Sequence, residues 1–594
     1  MKSPLKLLAG LLADVGRLDP QSQGLERDFQ TLQDRFEHEG IGFITVALGR
    51  YADHFDQWLA RRTVSPITGF KRKPGSPLPA FLSGLVRLVF DEVTGSLRAD
   101  YDLGAIKSIR QVLRFFKKAL IAENADQLHI QETKAFYEKE DRDTEIDSTM
   151  SLRLRRASHY VLNGLDDNLD QVFERGKHGP GAVAERVAGN QKWIAFVDQV
   201  EEFDLFPESG FDLNLVESDK GMLSAAKSLP KTESRFVTVP KSVTARRGIT
   251  VEPLLMQFYQ QGLNAVLRER ISFCPLLSQS LDLTDQRLNQ QLALEGSRTG
   301  YWATLDLSSA SDLLLNKVVE QAFWAHPKFF GMVQKTRSLL RGGTPMKKYA
   351  GMGNATTFPV QSVVFALISA VTMACSGGRP LRKEALRRCL GEVRVYGDDI
   401  VVPTHYATDV ANALESMGLR VNRTKSFSEG NFRESCGVDA FHGEEVTPVY
   451  YRLDPRLTAV SDDDLATLVS TSNQLWLEGY YSLSNVIRRT IESSYGKLPY
   501  APRESGVIGW VTRSKVRVRT RMNAKLQRLE FKAPVARPTM STDVLDGYPA
   551  LFKFFLTPLI ARSGGHLEKT AQRHSNRVRW QWVPVLPVKS AYLP

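Results

Sequence analysis

Two adjacent acidic residues, Asp398 and Asp399, lie between two short β-branched runs. The stretch 393–402 has the sequence VRVYGDDIVV. The flanking runs have the length and composition of strands, and Gly-Asp is typical of a turn. The stretch therefore predicts a β-hairpin with two carboxylates at its tip. A rigid pair of carboxylates suits Mg²⁺, which prefers hard oxygen ligands. An ordinary hairpin with Asp in its turn is the alternative.

A third acid, Asp306, lies near the end of a predicted strand with the sequence WATLDL at 302–307. The next residues, SSASD, are rich in helix N-cap types, and 313–325 is predicted to be a helix. At such a strand end the carboxylate can point out of the sheet edge. Together with the hairpin acids it would form a three-carboxylate site. Such a site can hold two metal ions about 3.5–4 Å apart and catalyse phosphoryl transfer.

Three motifs in this order carry a family resemblance: LDLSSASD around Asp306, GMGN at 351–354 and YGDD at 396–399. They resemble motifs A, B and C of a template-directed polymerase palm. Their sequences most resemble those of the RNA-dependent RNA polymerases of single-stranded RNA bacteriophages, the replicase beta-subunit family. The resemblance implies an α+β fold in a right-hand arrangement of fingers, palm and thumb, with an antiparallel sheet in the palm.

The same resemblance divides the chain into four regions. These are an N-terminal region contributing to the fingers (1–150), the fingers (151–300), the palm with motifs A to D (301–450, with a candidate fingers insertion at 331–350), and the thumb with a basic C-terminal region (451–594). Helices predicted at 465–477 and 483–494 fall in the thumb. A strand is predicted at 42–48, within the N-terminal region.

Composition is consistent with a nucleic-acid partner. The chain has 594 residues and a net charge of +12, so an anionic partner is expected, with nucleic acid as the first candidate and an anionic membrane surface as the second. Four cysteines without a C-x-x-C spacing favour a reducing compartment over a disulfide framework or a zinc ribbon. The apolar segment 358–374 fits a buried helix better than a membrane span. The basic, partly apolar start fits an amphipathic helix better than a signal peptide.

A basic stretch precedes the acids. Residues 236–251, with the sequence FVTVPKSVTARRGITV, form two β-rich runs around a loop bearing Lys241, Arg246 and Arg247, and Glu252-Pro253 then opens a helix. Arg can bind phosphate oxygens bidentately and Lys supplies a point charge. The resemblance identifies the stretch as motif F, with these three cations on the phosphates of a nucleoside triphosphate. A solvated basic hairpin is the alternative.

The glycine-rich loop at 351–354 leads into the apolar helix, and Thr356 or Thr357 is a candidate cap for it. The family pattern Gly-x-x-x-Thr-x-x-x-Asn falls on Gly353, Thr357 and Gln361. Gln361, or alternatively Asn354, is therefore a candidate reader of the ribose 2′-hydroxyl.

A further nucleotide-binding candidate, Asp312, lies one position beyond the usual second acid of motif A, where this chain has Ser311. Capping of the following helix is its alternative role.

Residues 419–427, after a helix predicted at 410–417, resemble motif D. Lys425 matches the family's lysine in this loop, and such a lysine can donate a proton to departing pyrophosphate. A surface lysine is the alternative. The segment FRESCG at 432–437 resembles the one that follows motif D in phage replicases, and its Cys436 is expected to be a packed thiol. The Gly/Pro loop at 176–182 is expected to be a tight turn, with no catalytic role for His178.

Basic and aromatic residues near the C-terminus are candidates for RNA binding. The set comprises Arg513, Lys515, Arg517, Arg519, Arg521, Trp580 and Trp582. Cations at every second position from 515 to 521 would share one strand face, and tryptophans can stack on bases. A solvated charged face is the alternative.

By resemblance, the chain replicates a single-stranded RNA phage genome in the cytoplasm of a bacterial host, with two Mg²⁺ ions (Mn²⁺ is also acceptable) and primer-independent initiation. The implied partners are template and nascent RNA, nucleoside triphosphates, the host elongation factors Tu and Ts and a ribosomal small-subunit protein, without a membrane.

Two rival functions remain. A reverse transcriptase shares the palm but usually has a Pro-Gln-Gly motif B and an aromatic gate, and neither is evident. A non-enzymatic RNA-binding protein would not explain the three acids.

Overall fold

The computed structural model describes residues 3–121, 125–140, 144–167, 169–179, 181–200, 233–341, 344–457, 459–501, 507–513, 519–540, 545–557 and 573–585. The α-helices in these ranges are α1 (Ser3–Leu18), α2 (Leu25–Glu39), α3 (Leu48–Arg61), α4 (Ser83–Val86), α5 (Leu103–Arg114), α6 (Ala125–Glu140), α7 (Ser148–Ser158), α8 (Gln171–Glu174), α9 (Gln191–Val200), α10 (Leu254–Phe273), α11 (Arg287–Thr299), α12 (Ala310–Leu313), α13 (Asn316–Ala322), α14 (Pro327–Thr336), α15 (Thr357–Ala374), α16 (Lys383–Gly391), α17 (Ala407–Ser416), α18 (Asp462–Leu477), α19 (Tyr481–Tyr495) and α20 (Gly547–Leu556).

The strands pair only in antiparallel fashion within the described ranges. They are β1 (Arg235–Ser242), β2 (Ala245–Val251), β3 (Trp302–Asp306), β4 (Leu340–Arg341), β5 (Thr344–Pro345), β6 (Arg394–Tyr396), β7 (Asp399–Pro403), β8 (Phe432–Ser435), β9 (Val438–Phe441), β10 (Glu444–Glu445), β11 (Thr520–Asn523), β12 (Arg528–Met540) and β13 (Arg573–Pro584). All of these except β12 and β13 have eight residues or fewer. The sheet orders are β1-β2, β3-β7-β6, β4-β5, β10-β9-β8 and β11-β12-β13. Helices and separate antiparallel sheets make this an α+β protein, as predicted.

The sheet β3-β7-β6 holds the acidic motifs. Ile400, Val401 and Val402 are all buried, and because successive side chains of a strand point to opposite faces, both faces of β7 are covered. Helices α11 and α15 contact β7, and α17 contacts β3. Burial on both faces explains the nearly continuous β-branched sequence of β7, and it holds the strand ends rigidly.

Among the described residues, two large hydrophobic cores are formed. One contains buried residues between 150 and 421, together with Leu545 and Ala550. The other joins buried residues between 5 and 121 to residues between 427 and 510, so the N-terminal helices pack with the helices of the predicted thumb. Arg110, on α5, is fully buried and forms ion pairs with Asp56 and Asp439, which ties α3 and α5 to β9. The region boundaries at 150, 300 and 450 stay predictions.

Two local predictions are wrong. Residues 42–48 are helical, with a π-helical turn at Phe43–Ala47 leading into α3, because burial among neighbouring helices overrides the β-branched composition. The single helix predicted at 313–325 is instead the two short helices α12 and α13. They are separated because Leu314 is extended and its carbonyl accepts a hydrogen bond from the Tyr349 amide (2.8 Å), a pairing that local sequence does not reveal.

Other predictions are confirmed. The N-terminal amphipathic segment forms α1, the segment 410–417 falls mostly in α17, and the helices predicted at 465–477 and 483–494 correspond to α18 and α19. Helix α15 is long and apolar enough to cross a membrane, but 89% of it is buried, which is typical of a core helix. The four cysteines are free.

Candidate active site

Asp306 and Asp399 occupy paired positions at one end of the sheet β3-β7-β6. Strand β3 pairs with β7 so that Asp306 lies opposite Asp399, and Tyr396 on β6 lies opposite Asp399 on the other side. Gly397 and Asp398 form the turn of the predicted hairpin, and Asp398 is exposed at its tip. The three predicted acids therefore share one sheet edge.

Gly397 allows this turn to sit directly on helix α15. Its φ is 67°, in the left-handed region, and a Cβ at this position would lie 2.9 Å from the Phe358 ring. Its amide donates to Ser362 Oγ (3.2 Å). The turn that presents Asp398 is thus fixed by the helix that follows the glycine-rich loop.

Two of the acids are held in partly buried positions. Asp306 Oδ2 accepts from Asn422 Nδ2 (2.8 Å), and Asp399 Oδ1 accepts from the Cys436 amide (3.1 Å). Burial raises the pKa of Asp306 to about 6 and that of Asp399 to about 7, and the charge of Asp398 adds to both effects. The protein therefore concentrates negative charge here without neutralising it fully.

These acids have the chemistry of a divalent-cation site. Their hard oxygens and mutual repulsion suit Mg²⁺ or Mn²⁺. Asp306 and Asp399 currently accept hydrogen bonds from the protein, and among the described residues no three Asp, Glu, His or Cys side chains close into a complete ligand set. Cation binding would therefore require these side chains to turn towards the ion.

A fourth acid, Glu434 on β8, belongs to the same electrostatic environment. Its charge raises the pKa of Asp306 and of Asp399, and it also interacts with Lys425. It lies in the segment FRESCG, for which the sequence indicates only a family resemblance. No spacing rule connects it to the other acids, because its proximity depends on the packing of β8 beside β3 and β7.

Lys425 lies in the loop that follows α17. The loop is bound to Asp306, because the Asn422 amide donates to the Asp306 carbonyl (2.8 Å) and the Asp306 amide donates to Ser426 Oγ (3.1 Å). Burial disfavours the charge of Lys425, but Glu434, Asp306 and Asp53 outweigh it and raise the pKa above its usual value. Lys425 is therefore a charged ammonium beside the acids.

The basic stretch 236–251 forms the hairpin β1-β2, which points towards the acids. Its turn lies at Val243–Thr244, so Lys241, Arg246 and Arg247 lie on the strands beside the turn and not in the loop as predicted. Burial and Arg247 lower the pKa of Lys241, whereas the charges of Asp306 and Asp398 act in the opposite direction, so the ammonium lies within their field.

The two arginines of the hairpin differ in their surroundings. Arg246 is engaged within the hairpin, with Nε donating to Thr238 Oγ1 (2.6 Å) and Nη2 donating to the Thr238 carbonyl (2.7 Å). Arg247, on the adjacent position, is exposed. Arg247 is thus the better placed of the two to bind an anion.

The glycine-rich loop lies against β2. Gly353 has a φ of 125°, and a Cβ there would lie 2.1 Å from the Thr250 carbonyl oxygen, while the Thr250 amide donates to the Met352 carbonyl (2.7 Å). Only glycine permits this approach. The loop and the basic hairpin are therefore one continuous wall beside the acids.

The residues predicted to read the ribose hydroxyl are both buried. Asn354 Oδ1 accepts from the Thr356 amide (2.9 Å) and hydroxyl (2.6 Å), so it organises the loop. Gln361 lies beside Gly397, and its buried Oε1 has no hydrogen-bond partner among the described residues. Unsatisfied buried acceptors are costly, which makes Gln361 the stronger candidate for a ligand contact.

Neither predicted threonine caps helix α15 with its side chain. Thr356 occupies the cap position without a side-chain capping bond, and the Thr357 hydroxyl donates to the Gly351 carbonyl (3.0 Å).

Asp312 forms an ion pair with Lys139 (3.3 Å). Its predicted contact with nucleotide stays a prediction.

The aromatic RNA-binding candidates lie on the C-terminal sheet. Trp580 and Trp582, two positions apart on β13 and therefore on one face, are 44% and 36% exposed, and the Arg521 guanidinium lies 4.0 Å from the centre of the Trp582 ring. Arg513 Nη2 donates to the Leu477 carbonyl (3.1 Å), which places it on helix α18. Arg519 is exposed. Lys515 and Arg517 lie outside the described residues, so the alternation stays a prediction.

His178 lies inside an aromatic cluster. Its ring lies 4.7 Å from Trp193 and 5.3 Å from Phe196 and from Phe258, centre to centre. Burial lowers its pKa to about 3, so it is neutral. This placement agrees with the structural role that the sequence predicts.

Comparisons with known proteins cover the region of these motifs. A family model for the RNA replicase beta-chain matches residues 218–468. The RNA-directed RNA polymerase subunit beta of Enterobacteria phage SP is 38% identical over 227 residues, which make up 37% of this chain and 36% of that protein. The corresponding subunit of Escherichia virus Qbeta is 37% identical over 225 residues (37% and 35%). The RNA-directed RNA polymerase beta chain of Escherichia phage MS2 is 34% identical over 221 residues (36% and 37%).

The chain thus covers little more than a third of the length of these relatives. The residues 218–468 that the family model matches include the acids, the basic hairpin and the glycine-rich loop. The resemblance to RNA phage replicases that the sequence indicates is confirmed.

Proposed function

We propose that this chain, whose central region is similar to RNA replicase beta-chains, is an RNA-dependent RNA polymerase that copies a single-stranded RNA phage genome. The observation that carries the proposal is the pairing of Asp306 with Asp399 beside the Asp398 turn, with the cationic hairpin facing them. A right-hand arrangement of fingers, palm and thumb, with β3-β7-β6 as the palm sheet, accompanies this function.

The reaction is attack of an RNA 3′-hydroxyl on the α-phosphate of an incoming nucleotide, with release of pyrophosphate. Asp306 and Asp398 would be the main ligands of two Mg²⁺ ions (Mn²⁺ is also acceptable), with Asp399 in support. When bound, such cations supply Lewis-acid activation of the hydroxyl and neutralise the triphosphate.

The chain's own residues hold and orient the substrates. Lys241 and Arg247 bind the triphosphate. Lys241 lies within the field of Asp306 and Asp398, and Arg247 acts on Lys241 and is exposed, whereas Arg246 is engaged with Thr238. Lys425 donates a proton to the departing pyrophosphate. Base pairing with the template selects the nucleotide, so the protein needs little base readout of its own.

Ribose selection falls to Gln361. Its unpaired Oε1 beside the hairpin turn can accept a hydrogen bond from a 2′-hydroxyl. Replacing Gln361 with Ala should increase deoxynucleotide incorporation relative to ribonucleotide incorporation. Asn354→Ala should instead disturb the loop. Unchanged discrimination in both variants would exclude this role for either residue.

RNA leaves and enters along basic and aromatic surfaces. Trp580, Trp582 and Arg521 form an exposed stacking surface on the C-terminal sheet, and Arg513 and Arg519 add positive charge.

We also propose, from the family resemblance alone, primer-independent initiation, action in the host cytoplasm, and assembly with elongation factors Tu and Ts and a ribosomal small-subunit protein.

The test is labelled-nucleotide incorporation on a single-stranded RNA template with Mg²⁺, with the host factors added. Wild type should make RNA, Asp398→Asn should not, and Asp100→Asn, which changes a distant surface acid paired with Arg98, should match wild type. Deoxynucleotide incorporation would favour a reverse transcriptase. RNA binding without synthesis in the presence of host factors would favour a non-enzymatic RNA-binding protein.

A further inference from the structure

The loop that carries Lys425 rests on helix α3 of the N-terminal region. Gln57 Nε2 donates to the carbonyl oxygen of Thr424 (2.7 Å). Farther along the chain, Gly430 touches the end of the same helix so closely that a Cβ would lie 1.9 Å from the Ala60 carbonyl oxygen. Two points of the segment 424–430 are therefore fixed by one helix, which precedes it by more than 360 positions in sequence.

A charge interaction acts at the same place. Asp53 lies one turn before Gln57 and so shares its helix face. The opposite charges of Asp53 and Lys425 attract each other. Asp53 is itself held by Lys117 (2.8 Å) and by Arg114 (3.1 Å). Its carboxylate is thus a fixed negative charge facing the loop.

The packing beneath the loop is incomplete. An open cavity of about 220 Å³ lies between α3 and the segment 421–429, and its lining includes Gln57, Arg61 and Ser426. A loop over a cavity lacks the dense side-chain packing that fixes a core segment. Its position therefore depends on individual contacts.

The opposite side of the loop reaches the reaction site. Asn422 contacts Asp306 through both its amide and its side chain (2.8 Å each), and the Lys425 amide donates to the Asn422 carbonyl (3.0 Å). A shift at Thr424 would therefore move Lys425 relative to Asp306.

We propose that Gln57 and Asp53 are positioning residues, which hold the 422–426 loop so that the Lys425 ammonium faces the acids. This inference rests on the proposed function in assigning Lys425 the leaving-group proton. It gives helix α3 of the N-terminal region a part in the reaction through the loop that carries Lys425.

The first measurement is the rate constant for incorporation of a single nucleotide at saturating substrate. Asp53→Asn should lower it about threefold, the size of one partly exposed charge interaction, with little change in KM. Asp53→Glu should restore it, and Asp100→Asn is the control. Lys425→Met should lower the rate further and should abolish the effect of Asp53→Asn in the double variant. An equally large Asp53→Asn effect in both backgrounds would overturn the inference.

A second measurement does not depend on activity. Hydrogen exchange of the backbone amides at 422–426 should be faster in Gln57→Ala than in wild type and unchanged in Asp100→Asn. Unchanged exchange in Gln57→Ala would overturn the docking of the loop on α3. A wild-type protein that makes no RNA would overturn the proposed function instead, so the two failures are distinguishable.

Discussion

Replacing Asp399 with Asn should stabilise the metal-free protein while it abolishes RNA synthesis. The substitution keeps an oxygen that can accept a hydrogen bond from the Cys436 amide but removes a charge from a partly buried strand end. Burial raises the pKa of Asp399 to about 7, and the neighbouring Asp398 and Asp306 charges contribute to the rise. The ionised side chain is therefore less favourable in the folded protein than in the unfolded chain.

The size of the effect follows from linkage. A folded-state pKa of about 7 against an ordinary value of 3.8 corresponds to a cost of at most about 4 kcal/mol above pH 7. Local relaxation reduces such costs, so we expect the variant to be about 2–4 kcal/mol more stable at pH 8. For a cooperative unit of roughly 150–250 residues, this corresponds to a rise in Tm of about 5 °C or more.

The sign of the pH dependence distinguishes this cause from others. A raised carboxyl pKa means that the folded protein holds a proton that the unfolded chain has released, so wild type loses stability as the pH rises from about 4 to about 7. The advantage of Asp399→Asn should thus be largest at pH 8 and should shrink as the pH falls towards 4.

The assay is thermal unfolding with EDTA at pH 8 and at pH 5. Asp100→Asn is the matched control, since its ion pair with Arg98 lowers the pKa of that carboxyl, and it should not raise the Tm. A variant Asp399→Asn that melts at or below the wild-type temperature at pH 8, or that gains equally at both pH values, would refute the reasoning.

Three further outcomes are expected. Gly353→Ala should lower the free energy of unfolding by about 3 kcal/mol, because Gly353 has a φ of 125° and lies against the Thr250 carbonyl. Gly437→Ala, at a positive φ but with no neighbour within 4 Å, should lower it by about 1 kcal/mol. Equal losses in thermal unfolding would contradict the close contact at Gly353. Arg247→Ala should raise the KM for nucleotide about tenfold in steady-state incorporation, and Arg246→Ala should raise it less. Trp582→Ala should weaken RNA binding by about 1–3 kcal/mol in fluorescence anisotropy at constant salt, and unchanged affinity would exclude the C-terminal sheet as a stacking surface.

The hairpin and the strand that hold the acids could be predicted because their determinants are local. Short β-branched runs and a Gly-Asp turn specify β6-β7, and the sequence around Asp306 specifies β3. The break at Leu314 could not be predicted, since it arises from pairing with Tyr349, 35 positions later. The helical state of 42–48 depends on burial among helices that the local composition does not encode.

The same distinction applies to the candidate site. Asp306, Asp398 and Asp399 were found from short patterns because each lies at the end of a strand or in its turn. The sequence assigns no role to Glu434, because the packing of β8 beside β3 and β7 brings its charge to Asp306. Asp53 and Gln57 carry no motif at all, and their relation to Lys425 depends on a contact between segments more than 360 positions apart.

These long-range contacts explain why the chemistry of a short motif requires a long chain. The sheet β3-β7-β6 brings negative charges together, which lowers the stability of the folded protein. The raised pKa values of Asp306 and Asp399 reflect this cost. Elements packed around the sheet help to hold that charge in place: α15 under the Gly397 turn, β2 against Gly353, and α3 under the Lys425 loop. Each makes a hydrogen bond or a close backbone contact, which an added methyl group or the loss of an amide would remove. Loss of activity in variants far from the acids is therefore expected wherever a substitution moves one of these three supports.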